Sequence, residues 1–171
     1  MTRHTPDEWT ERLARLYREH PAWRSAARRL VAAATSTVYF SHRAGEPWHL
    51  EQREGETRLL PGAAPDPDFV FRFTPDSIER LEAVTGGVGD FAVELFTLIA
   101  EADPDEGVGL RIVAGFPRLV RRGYLGLLLA SGPRVVAFGA THGVRTVGAL
   151  RRLVARLRDS GPADWETEAR R

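Results

Sequence analysis

Cysteine is absent from this 171-residue chain. Its absence removes disulfides, thiol nucleophiles, thiolate metal sites and iron–sulfur clusters together. Lysine is absent as well, since all 24 basic residues are arginines. Neither a Schiff-base lysine nor a phosphate-loop lysine is therefore available. There is no asparagine, and Gln52 is the sole glutamine, so bidentate reading of adenine edges would rest on one side chain. The longest strongly apolar stretch, near Tyr124–Ala130, falls far short of the roughly 20 residues that a membrane span requires. Met1 to Trp9 is polar and leads into an amphipathic segment rather than an apolar signal region. The expected location is the cytoplasm.

Catalytic signatures are scarce. The chain lacks a G-x-S-x-G elbow, a phosphate-binding G-x-x-x-x-G-K-[ST] loop and an H-E-x-x-H pair. Gly107-Val108-Gly109 precedes a strand instead of following one, which does not suit a dinucleotide fingerprint. The five histidines have no ligand-like spacing, although His42 and His49 could approach each other across a hairpin. His142, between Gly139 and Gly143, is a candidate switch or acid weighed against an ordinary loop residue. Glu79, Glu82, Glu94 and Glu101 read as solvated helix-surface carboxylates that form no acid/base pair. No cofactor and no metal site is expected.

What the chain does contain is a lopsided charge distribution. The formal net charge is only +1, yet residues 1–106 carry a net −7, while residues 107–158 hold ten arginines and no Asp or Glu. Two accounts fit this pattern: the basic half packs beside the acidic half, or it forms an electropositive face for an anionic partner. That partner could be a lipid headgroup or anionic membrane surface, an acidic protein, or a nucleic acid. Nucleic acid ranks last, because Tyr124 is the only Tyr or Trp in the basic segment available to stack on bases.

Periodicity places the elements. Thr5-Pro6-Asp7-Glu8 reads as a helix start, with Thr5 as cap and Trp9, Leu13, Leu16 and Tyr17 on one stripe. Pro21 opens a second helix with Trp23, Ala27, Leu30, Val31 and Ala34 inward. The pattern then alternates. A three-residue loop Arg43-Ala44-Gly45 would set Phe40 opposite Trp48 and Val38 opposite Leu50. A tight turn at Glu54-Gly55 sets Leu50 opposite Leu59 and Glu51 opposite Arg58. Phe69, Phe71 and Phe73 share one face of a further strand, and Thr74-Pro75-Asp76 starts a helix ended by Gly86-Gly87. Phe91–Ala102 and Phe116–Ala130 read as helices, Leu110–Ala114 and Arg134–Phe138 as short strands. The last helix carries Val147, Leu150, Val154 and Leu157 as its apolar stripe.

The middle of the chain, about residues 36–130, resembles the sterol carrier protein 2 (SCP2-like) family of lipid-binding domains. The likeness rests on Trp48-His49-Leu50-Glu51 with Glu54-Gly55, and on Pro67-Asp68-Phe69-Val70-Phe71-Arg72-Phe73-Thr74. It also rests on Pro75-Asp76-Ser77-Ile78-Glu79-Arg80-Leu81, and on Gly109-Leu110-Arg111-Ile112-Val113-Ala114-Gly115 with Leu119. The resemblance implies an α/β (α+β) fold: a mixed five-stranded sheet with helices on one face, and an apolar tunnel between sheet and helices for sterols, fatty acyl chains or other lipids. It also implies that the domain, standing alone, is not catalytic. The expected organisation is an N-terminal helix pair over 1–35, the SCP2-like domain with a C-terminal strand–helix extension over 36–160, and a flexible tail over 161–171. Three departures stand out: a longer segment from Gly86 to Glu106, the extra elements after Arg134, and a tail without a peroxisomal Ser-Lys-Leu ending.

Two helices, Phe91–Ala102 and Phe116–Ala130, are apolar around more than one side, so each must bury two sides or offer one to a ligand, lipid or partner. The expected ligand-lining residues are Phe71, Phe73, Leu95, Phe96, Ile99, Phe116, Leu119, Tyr124 and Leu128. Arg118, Arg121 and Arg122 are expected to meet a carboxylate or phosphate headgroup, or another anionic partner, because a guanidinium fork matches planar oxyanions. The alternative is a protein-interaction or oligomerisation module, such as a homodimer, with a filled core and a basic docking face.

Overall fold

A computed structural model describes residues 7–101 and 107–159. Among them are five strands and eight helices: α1 (Glu8–Glu19), α2 (Pro21–Ala27), β1 (Thr35–Phe40), β2 (Arg43–Arg53), β3 (Glu56–Pro61), β4 (Phe69–Phe73), α3 (Pro75–Glu82), α4 (Val88–Ala100), β5 (Gly109–Ile112), α5 (Phe116–Arg121), α6 (Tyr124–Ala130), α7 (Pro133–Thr141) and α8 (Val147–Asp159). The strands form one mixed sheet in the order β3-β2-β1-β4-β5. All pairings are antiparallel except β1 with β4. This is the five-stranded mixed α/β architecture that the resemblance implies.

The β2–β3 turn follows from its residues. Glu54 (φ 54°) and Gly55 (φ 82°) both take left-handed backbone, the combination that suits a two-residue hairpin between twisted strands. The resulting register puts Leu50 opposite Leu59 and Glu51 opposite Arg58, as the alternation predicts. The first hairpin differs. Phe40 pairs with Arg43, so the chain reverses at Ser41-His42, and Val38 lies opposite Trp48 with Ser36 opposite Leu50. The register shifts within the ladder, and Gly45 (φ 82°) sits in the extra length of β2. The observed pairing is offset by two residues from the expected one. With a side-chain period of two, the apolar faces are unchanged.

Val38, Phe40, Trp48, Leu50 and Phe73 pack under Leu13, Leu16 and Tyr17 of α1, Ala22 of α2, Ile78 and Leu81 of α3, and Phe91 and Leu98 of α4. The N-terminal helices thus complete the main core. A second, smaller cluster joins Ile112, Ala114, Leu119 and Val154, with Phe69, Phe116, Tyr124 and Leu150 against it. On the opposite face of the sheet, Ala64 donates its N–H to Thr37 Oγ1 (3.1 Å) and Gly62 O meets His49 Nδ1 (2.8 Å), so the segment between β3 and β4 lies across it.

Local chemistry sets several boundaries. Asp7 caps α1, accepting from Thr10 N (2.9 Å), whereas the expected cap, Thr5, lies outside the described residues. Helix α2 ends at Ala27, short of Leu30, Val31 and Ala34. The sole glutamine links α2 to the sheet: Trp23 Nε1 donates to Thr57 Oγ1, that hydroxyl donates to Gln52 Oε1, and Gln52 Nε2 donates to Ala27 O. Thr74 caps α3 in a reciprocal capping box with Ser77. The helix ends at Glu82, so Gly87 instead caps α4.

Two element assignments need correction. The expected single helix Phe116–Ala130 is broken at Gly123, whose φ of 93° ends α5. A Cβ there would also lie 2.1 Å from Arg29 O, so both backbone and packing require glycine. The expected strand Arg134–Phe138 is the helix α7, entered through Gly132 and Pro133. Proline at the first helical position, followed by enough room before His142-Gly143, outweighs the short β-branched run Val135-Val136. The tail 161–171 lies outside the described residues.

Candidate functional site

The most heavily bonded polar centre starts from Asp68, which has no exposed surface. It stands just before β4, where its backbone N–H donates to Thr35 O (2.8 Å) and its carbonyl accepts from Val113 N (2.9 Å) and Ala114 N (3.1 Å). Those bonds fix the carboxylate between β1 and the end of β5. Arg118 Nε (2.9 Å) and Arg122 Nη1 (2.7 Å) donate to Oδ1, and the Tyr124 hydroxyl donates to Oδ2 (3.0 Å). Asp66 accepts from the same two arginines at 2.6 and 3.3 Å, and its carbonyl accepts from Arg118 Nη2 at 2.6 Å.

Electrostatics follow from this geometry. The hydrogen bond from Arg118, with the charges of both arginines, holds the Asp66 carboxyl below its ordinary range. Burial works against the Arg118 charge, but Asp66 and Asp68 outweigh it and raise the guanidinium further. Burial, helped by the Asp68 carboxylate, pushes the Tyr124 hydroxyl well above an ordinary phenol. Tyr124 is therefore a fixed donor, not a titrating group. Arg118 and Arg122 were expected to meet an external headgroup. Their forks are closed on Asp66 and Asp68, and the centre anchors α5 and α6 to the sheet.

The remaining expected lining residues divide between elements. Phe73 is wholly buried in the main core, with Phe71, Leu95 and Ile99 packed against it. Phe116, Leu119 and Tyr124 belong to the second cluster. Leu128 is half-buried on α6, a helix with no buried residue. Arg121 is exposed at the end of α5. Phe96 alone points to a different place: its ring lies 6.2 Å from that of Phe138, which stacks on His142 at 4.3 Å.

Phe138, though not Phe96 itself, lines an open groove between α4 and α7 with a volume of about 450 Å³. Val93, Ala137 and Phe138 supply its apolar wall, and Asp90, Glu94, Arg134 and Thr141 its polar rim. Arg134 is ion-paired with Asp90 across the groove. Glu94 accepts from Arg80 (2.8 Å), which also reaches Glu101 (2.6 Å). His142 Nδ1 meets Phe138 O (2.8 Å), so the ring caps its own helix. Sequence reasoning missed this groove because Arg134–Phe138 read as a strand; as a helix, Arg134, Ala137, Phe138 and Thr141 fall on one side at i, i+3, i+4 and i+7.

The hairpin histidines are used separately. His42 Nε2 lies 2.7 Å from Asp7 Oδ2, and His49 bonds the Gly62 carbonyl. Among the described residues, no group of three His, Asp or Glu side chains is placed to hold a metal ion. Among them, too, no single helix is long and apolar enough to cross a membrane.

No protein-family model matches the chain, and no curated protein sequence matches it. Among solved structures, the chain is similar to one described as a "UbiJ-SCP2 Ubiquinone synthesis protein", with 14 % identity, 88 % of each chain covered and a TM-score of 0.40.

Proposed function

We propose that the protein binds an apolar, acyl-type small molecule without catalysing its conversion, and that the groove between α4 and α7 is the site. The observation that carries this reading is the composition of the groove. Val93, Ala137 and Phe138 line an open groove of about 450 Å³ together with Asp90, Glu94, Arg134 and Thr141, and the surface they present to it is mainly apolar. Phe96, one of the residues expected from sequence to line a ligand site, stacks on Phe138 at 6.2 Å without lining the groove itself. The driving force is area removed from water, about 0.8 kcal/mol gross for each methylene that the groove covers, before association costs are subtracted. The rim carboxylates Glu94 and Asp90 are already engaged by Arg80 and Arg134, which suits a binding site better than an acid/base site.

The test is displacement of a fluorescent fatty acid from delipidated protein. Binding at micromolar concentration or tighter is expected, with Phe138→Ser weakening it by about tenfold or more. Absence of binding across fatty acids, sterols and phospholipids overturns the reading.

The second reading, an interaction module with a filled core, draws on a different observation. Phe73 and Leu98 are fully buried, and most of the expected lining residues belong to, or pack against, two core clusters. Native mass spectrometry separates the two readings: a retained small lipid favours the first, and a ligand-free dimer favours the second.

A further inference from the structure

Helices α6 and α7 form a corner whose outward surface is almost free of charge. The exposed positions are Gly126 and Leu129 on α6 and Pro133, Arg134, Val136, Ala137 and Thr141 on α7. Leu129 is 65 % exposed and Val136 58 %. No residue of α6 is buried, and only Val135 of α7 is. A helix on a water-facing surface normally turns a polar side outward; α6 exposes no polar side chain, and the exposed polar residues of α7, Arg134 and Thr141, line the groove with α4. The bend between them is 102°. With seven and nine residues, they run roughly 10 and 14 Å, too short to cross about 30 Å of hydrocarbon. Their geometry suits insertion to shallow depth at an interface.

Charge identifies the occupant. Arg121, two residues before the N-cap-to-helix step into α6, and Arg145, just after α7, are exposed and make no ion pair with described residues. The stretch 107–158 holds no acidic residue, although Arg118, Arg122 and Arg134 within it are paired with Asp66, Asp68 and Asp90 from the acidic half. We infer that the α6–α7 corner docks the protein on an anionic lipid bilayer, with Leu129 and Val136 entering the headgroup–acyl boundary and Arg121 and Arg145 resting on the lipid charges. A second copy of the chain is disfavoured as the occupant, because a two-fold contact across this corner brings two like-charged segments together. The corner also adjoins the α4–α7 groove, since α7 contributes Phe138 to the groove and Val136 to the exposed surface. Docking would therefore hold the groove near the membrane, but the docking inference stands on the surface alone.

Vesicle flotation with the full chain tests it, using phosphatidylcholine vesicles and phosphatidylcholine vesicles with one part in three phosphatidylglycerol. Flotation with the anionic vesicles, weakened by salt, is expected. Arg121→Ala and Arg145→Ala each reduce it about fivefold, and Leu129→Glu or Val136→Glu by about tenfold or more. Because the chain has no native cysteine, Leu129→Cys carries a single environment-sensitive dye whose emission shifts to the blue on anionic vesicles. Fatty-acid displacement in vesicle-free solution stays unchanged in all these variants, which separates docking from groove binding. The inference is overturned by three outcomes: equal behaviour with the two vesicle types, flotation indifferent to the substitutions, or a concentration-dependent dimer that Leu129→Glu abolishes.

Discussion

Tyr124 donates its hydroxyl to the wholly buried carboxylate of Asp68 across 3.0 Å, tying the first turn of α6 to the entry of β4. This single bond spans 56 residues of sequence and joins the region that carries the basic charge to the acidic half of the chain. Removing only the hydroxyl leaves the ring in place against Phe69, whose centroid is 4.9 Å away. Tyr124→Phe is expected to lower the unfolding free energy by about 1.5–3 kcal/mol, the range for hydrogen bonds to charged groups. Urea unfolding, with an unchanged slope, is the measurement.

Asp68 itself has a larger role. It neutralises Arg118 and Arg122, whose side chains are only 25 % and 15 % exposed. Asp68→Ala leaves both arginines to the exposed Asp66 alone and removes the acceptor of Tyr124, and a loss of about 2–4 kcal/mol is expected, toward the range for broken buried pairs. Asp66→Ala, at a residue exposed to solvent, should cost far less. A similar loss in both variants, measured by denaturant titration, would show that the two carboxylates act as one unit.

Gly123→Ala combines a forbidden backbone with a close approach to Arg29 O. A cost of about 1–3 kcal/mol from the positive φ alone is expected, with displacement of α6 adding to it. Thermal unfolding reads the first effect. Faster amide exchange at Val31, whose N–H donates to Arg122 O at 3.2 Å, reads the second.

Acid should weaken the fold through Asp7 and Asp66. Burial opposes the Asp7 charge, but the Thr10 and His42 hydrogen bonds prevail and bring its carboxyl from 3.8 to about 2. A carboxyl depressed in the folded state contributes stability that is complete above its unfolded value and disappears as pH falls through the folded one. The melting temperature is therefore expected to fall between pH 4 and pH 2. Asp7→Ala should flatten this fall while losing about 1 kcal/mol of helix capping at neutral pH.

Much of the sheet was legible because its signals are local. Alternation put Phe69, Phe71 and Phe73 on one face, and Glu54-Gly55 fixed the β2–β3 register. The Ser41-His42 reversal was missed because a two-residue slip leaves every side chain on its own face, so the pattern could not choose. The helix break at Gly123 had a signal in the glycine that follows Arg121-Arg122, the usual composition of a helix end, but the leucines beyond it masked the stop. The buried Asp68 was hidden for another reason. Nothing in Pro67-Asp68 shows which distant side chains its carboxylate meets, although Arg118 and Arg122, four residues apart, lie on one side of the chain turn that reaches it. The groove was illegible because it depends on how α7 sits against α4.

The sheet order also bears on how the chain assembles during synthesis. β1 lies at the centre, and β2 and β3 follow it directly, so the meander can zip as soon as Pro61 has emerged from the ribosome. The inner edge of β1 then stays open until β4 arrives to pair in parallel, and β4 in turn waits for β5, more than thirty residues later. During that interval two successive strands present unsatisfied backbone groups to the surroundings. A ribosome stalled while the emerged chain ends between Pro61 and Gly109 would hold the molecule in its most adhesive form.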